Sequence, residues 1–87
     1  MPPSPPLPEV QAVAEAIRGY LAEHPQAVDA APGIQRWWLL PRFGEVALQT
    51  VEDALALLER EGAVCRLEQA WAPTAWARSA ASPGAAH

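Results

Sequence analysis

The 87-residue chain has no lysine, one cysteine (Cys65) and two histidines (His24 and His87). A single cysteine excludes an intramolecular disulfide and a cysteine-based zinc site. The histidines are far apart in sequence, so no clustered donor set marks a metal or catalytic centre, and no cofactor is expected. No run of about 18 apolar residues is present, as a membrane-spanning helix would require. The opening "MPPSPPLPEV" lacks the basic and apolar regions of a signal peptide, so a cytoplasmic location is expected. No glycine-rich phosphate loop occurs. Positive charge is also scarce: six arginines stand against ten acids, a net charge of −4. Nucleic-acid binders draw most of their non-specific affinity from cations that release counterions, so this balance favours a protein partner over DNA.

What is present is apolar and aromatic. A domain of this size buries only about 60% of the surface its unfolded chain exposes, so its large side chains are needed for the core. Trp37, Trp38, Trp71 and Trp76 are the largest available. A first helix is predicted from Pro8 to His24, with Val10, Val13, Ala14, Ile17 and Leu21 as its apolar stripe and Pro25 as its stop. A second is predicted from Asp29, whose carboxylate can cap the first turn, to Pro41, which forces Leu40 toward an extended shape. Helical spacing groups Ile34, Trp37 and Trp38 on one face. The two tryptophans therefore read as core between the first and third helices. The competing reading puts one indole, the one beside Pro41, on a docking surface. After the turn "PRFG", a third helix is predicted from Glu45 to Glu61, with Leu48, Val51, Ala54, Leu55 and Leu58 inward and Gly62 as its stop. "AVCRLEQ" and "AWAPTAW" are candidate strands, the second an edge or broken strand because it holds Pro73.

Three helices followed by a hairpin is the order of a winged helix–turn–helix domain. Thr50–Val64, "TVEDALALLEREGAV", resembles the third helix and first wing strand of that superfamily through Val51, Ala54, Leu55, Leu58, Gly62 and Val64. The resemblance covers residues 9–77. It implies a mainly α fold with a small β-hairpin (α+β), and it is compatible with both DNA regulators and protein–protein modules. The domain is placed at 8–78, between a proline-rich tail at 1–7 and a C-terminal tail at 79–87, both expected to be disordered. The tail's P-x-x-P spacing is a shape that aromatic grooves bind, but a solvated tail is the simpler reading. The expected core is Ile17, Leu21, Ile34, Trp37, Trp38, Leu48, Val51, Leu55 and Leu58.

The resemblance puts the third helix in the major groove of any bound DNA. Gln49 would then face the bases, with Arg36, Arg42 and Arg66 as the cations available to hold phosphate. Yet Glu45–Gly62 carries Glu45, Glu52, Asp53, Glu59 and Glu61 against Arg60 alone. Phosphate repels such a helix. No nucleophile has a base at recognisable spacing, and adjacent Glu52 and Asp53 diverge on a helix, so no catalytic residue is assigned. The expectation is a non-catalytic interaction module, a small adaptor subunit of a larger complex. It would dock through Trp76 above all, with Trp71, Pro73, Glu52 and Asp53. The alternative is a dimeric DNA-binding transcriptional regulator. A third reading pairs the aromatic wing with a second copy of itself.

Overall fold

The computed structural model describes residues 8–79. In chain order the elements are α1 (Pro8–Glu23), β1 (Val28–Ala30), α2 (Ala31–Gly33), a π-helical segment that continues α2 (Ile34–Leu39), α3 (Leu48–Arg60), β2 (Val64–Gln69) and β3 (Ala72–Arg78). The class is the α+β one expected, but the antiparallel sheet has three strands, in the order β1–β3–β2. The tails expected at 1–7 and 79–87 lie outside the described residues except for Ser79. Its N–H bonds the Ala63 carbonyl at 3.0 Å, which ties it to the fold.

α1 follows its pattern: Val10, Val13, Ala14, Ile17 and Leu21 are all buried. The chain then departs from expectation. Asp29 does not cap a helix; it lies in β1, opposite Trp76 of β3. Its carboxylate accepts from the next residue's N–H, that of Ala30, at 2.8 Å. The same carboxylate lies over Gly33, where any Cβ would collide with it. A three-residue strand leaves little periodic signal, and its partner is near the far end of the chain.

The second helix differs in its winding. The Leu40 N–H bonds the Gln35 carbonyl at 3.2 Å, closing a wide i→i+5 turn. In such a turn residues i, i+4 and i+5 share a face, where an α-helix groups i, i+3 and i+4. From Ile34 that face holds Trp38 and Leu39, both buried, while Trp37 swings out to 64% exposure. The paired tryptophans therefore do not share the core, and the outward indole is Trp37, not the one nearer Pro41. Trp38 stacks on Tyr20 of α1, with ring centroids 4.6 Å apart and planes at 10°. Tyr20 in turn packs against His24 at 4.4 Å. Leu40 stays helical (φ −55°, ψ −45°) and is not extended. In a regular α-helix the Pro41 ring would meet the Trp37 carbonyl, and the wider turn relieves that crowding. Beyond it, the Leu39 carbonyl accepts from the N–H groups of Arg42, Phe43 and Gly44 at 3.2, 2.6 and 3.0 Å. Gly44 turns the chain back with φ +107°.

α3 begins three residues later than predicted. Ala47 occupies its N-cap with no side-chain cap, and Asp53 accepts from Gln49 at 2.9 Å. Leu48 thus falls in the first turn and is 38% exposed, the second core assignment to fail; Val46, in the preceding loop, is buried instead. Val51, Ala54, Leu55 and Leu58 are buried as expected. The helix ends in a Schellman motif: Ala63 N–H bonds Leu58 O at 2.9 Å and Gly62 N–H bonds Glu59 O at 3.0 Å. Gly62 has the positive φ, +79°, that this cap requires. Ile17, Ile34, Leu39, Leu55, Leu58, Val13 and Val51 form the fully buried centre where α1, the π segment and α3 meet.

β3 is the central strand although it contains Pro73. β1 reaches only Ala75–Ala77 on one side. On the other side the β2 register slips between Leu67 and Gln69, opposite Pro73. The missing N–H thus falls at a bulge, where the ladder asks for no donor. Ala70 and Trp71 form the hairpin tip, so Trp71 belongs to a turn and not to the strand.

Candidate functional site

The cross-strand register sorts the sheet into two faces. Trp76 lies between Asp29 and Arg66, and all three side chains share the face turned toward α3. The opposite face carries Val28, Ala77 and Cys65 in one row and Ala30, Ala75 and Leu67 in the next. Between α3, the start of α2 and β3 runs a groove of ≈ 490 Å³. Pro32, Glu52, Ala56, Arg66, Pro73 and Trp76 line it.

Three of the five docking residues expected from the sequence, Trp76, Pro73 and Glu52, therefore share one groove. Asp53 is exposed on α3 beside it, held by Gln49. Trp71 stands apart, 91% exposed at the hairpin tip. Of the two hairpin indoles Trp71, and not the Trp76 expected to lead the docking, is the more exposed. Trp76 is half-buried against the core, and Trp71 is outside because the tip turn carries it past the last packed residue.

Arg66 decides the electrostatics of the groove. Its Nε and Nη2 donate to the two carboxylate oxygens of Glu59 at 3.2 and 3.0 Å. Its Nη1 is 3.7 Å from Glu68, and its guanidinium carbon is 5.1 Å from the Trp76 ring centroid. The hydrogen bond to Glu59, then the Glu59 charge, raise the Arg66 pKa above its ordinary value against a small opposing effect of burial. Arg66 is fully charged at neutral pH, and two carboxylates and an indole face already occupy it.

The other cations of the DNA reading do not join it. Arg42 pairs with Glu23 at the end of α1, at 2.7 Å. Arg36 lines a different groove with Gln35, Leu40, Glu45, Val46 and Ala47. The Gln49 amide is engaged by Asp53. The DNA reading needs these four residues on one surface; the structure spreads them over at least two and pairs two of the three arginines with carboxylates. Leu40, Phe43 and Leu48 are also exposed, and no site was assigned to them from the sequence. Their signal was the π winding and the late start of α3, neither of which the apolar pattern reveals.

Among the described residues no three His, Cys, Asp or Glu side chains gather as a metal site. No described helix is long and apolar enough to cross a membrane. No protein-family model matches the chain, and no curated protein or solved structure matches it at a significant level.

Proposed function

We propose that this chain is a non-catalytic protein-interaction module of the winged helix–turn–helix type, serving as a small accessory subunit of a larger assembly. It docks through the groove between α3 and the wing, with Trp71 as the projecting anchor. The observation that carries this reading is the state of Arg66. It is the single cation among the groove-lining residues, and Glu59 holds it in a two-point fork. A phosphate backbone would have to displace that carboxylate and then face Glu52 and Asp53 on the exposed side of α3. Base contacts by Gln49 need a helix already anchored by cations, and α3 offers Arg60 alone, in its last turn, against Glu52, Asp53 and Glu59. The exposed carboxylates and the aromatic tip instead fit a protein surface that combines an apolar pocket with cations, because buried aromatic anchors ringed by polar contacts carry most interface energy.

Affinity capture of the tagged full chain from its native lysate, with and without nuclease, tests the reading. A stoichiometric protein partner that survives nuclease and is lost with Trp71→Ala supports it. Capture of DNA, or binding to duplex DNA that weakens steeply with salt, would replace it with the regulator reading.

A further inference from the structure

We infer that the outer face of the π segment and the turn after it pair two copies of this chain about a two-fold axis. The inference is independent of the docking groove, because it uses a different surface. Burying Ile34, Trp38 and Leu39 leaves Arg36, Trp37 and Leu40 on the outward side of the π segment. Phe43 follows in the turn and Leu48 opens α3, both exposed. Trp37, Leu40, Phe43 and Leu48 thus form four of the seven large exposed apolar side chains among the described residues, all within one short stretch of chain. A single exposed leucine needs no explanation; a tryptophan and three more large apolar groups exposed between residues 37 and 48 point to an interface on this side of the molecule.

Charge selects the occupant. Arg36 and Glu45 line one groove together with Leu40. Neither makes an ion pair among the described residues, whereas Arg18, Arg42 and Arg66 all do. The wall carrying Glu45 is held in place, since Gln35 Nε2 donates to the Val46 carbonyl at 2.5 Å. One cation and one anion without an ion pair among the described residues, in one groove beside exposed Leu40, are self-complementary. A two-fold axis brings Arg36 of each copy to Glu45 of the other, the reciprocal i-to-j and j-to-i contact of an isologous interface. Trp37 then supplies the aromatic centre and the charges the polar rim. A domain this small gains from covering such a patch.

Sedimentation equilibrium of the full chain from about 1 μM to 1 mM tests this. The expected result is a shift from one to two chain masses. Trp37→Asp should weaken the dimer about thirtyfold or more, since a central aromatic is removed and a charge inserted. Arg36→Glu and Glu45→Arg should each weaken it about tenfold by setting like charges against each other, and the double swap should restore it. Arg36, Trp37 and Glu45 all lie on the surface, and far-UV circular dichroism should confirm that each variant stays folded. A wild-type chain that remains monomeric throughout overturns the inference. So does a dimer indifferent to Trp37→Asp but broken by Trp71→Asp or Leu67→Asp, or a double swap no better than the single changes.

Discussion

The helical side and the wing of this molecule are built on different terms. Where α1, the π segment and α3 meet, seven large side chains are fully buried, and the ridges of one helix fill the grooves of the next. Among the described side chains of β2 and β3, only Val64 and Ala75 are buried. The wing is held by its ladder, by the half-buried Trp76 and by the Glu59–Arg66–Trp76 cluster. One region concentrates stability, and the other leaves most of its side chains free to meet something else. Residues that can change without unfolding the domain lie on the β2–β3 hairpin, the α3 face beside it and the outer side of the π segment, the surfaces on which both proposals rest.

The contrast can be broken most directly at Leu55. Leu55→Ala opens a cavity at the fully buried centre and should cost about 3 to 4 kcal/mol, a large share of what so small a domain possesses. Chemical denaturation of the purified variant measures it, and a loss under about 1 kcal/mol would mean that the core is not where it appears. The two neighbouring tryptophans sharpen the same comparison. Trp38→Ala should lose about 3 kcal/mol, while Trp37→Ala should stay within about 0.5 kcal/mol in the monomer. Equal losses would show that the segment winds as an ordinary α-helix with both indoles inward. At the junction of the two regions, Gly62→Ala forces a side chain into positive φ and should cost about 1 kcal/mol by thermal or urea melting. Arg66→Ala should lower the melting temperature slightly at low salt and less at high salt, because its partners are solvent-exposed carboxylates. Trp71→Ala should leave stability unchanged within error while removing partner capture.

The parts of the fold that could be read from the sequence are those with a long period. α1 is legible because five apolar residues recur at helical steps between Glu9 and Ala22 and Pro25 stops the run. The body and end of α3 are legible for the same reason, with Gly62 marking the cap. β1 is not legible, because three residues carry no pattern and their partner is distant in sequence. Pro73 argued against a central strand, and only the bulge of β3 at Pro73–Thr74, opposite Glu68 of β2, shows how it is accommodated. Of the candidate site, the groove residues Trp76, Pro73 and Glu52 were legible as a group. The roles of the two wing indoles were not, since parity along a strand says nothing once Trp71 lies in the turn.

By itself the sequence determined the class of the molecule, the faces of α1 and α3, and the shortage of free positive charge. Each of these follows from composition or from a repeat that survives without knowing what packs where. The tertiary structure alone decided which tryptophan enters the core and which arginines remain free. The first depends on one widened turn, an i+5 hydrogen bond in place of i+4 that local preference disfavours and that Pro41 and packing against α1 favour here. The second depends on long-range pairing: Arg66 meets Glu59 and Arg42 meets Glu23 only when the chain is folded. Charge can be counted along a sequence, but whether it is available depends on what lies across from it in space.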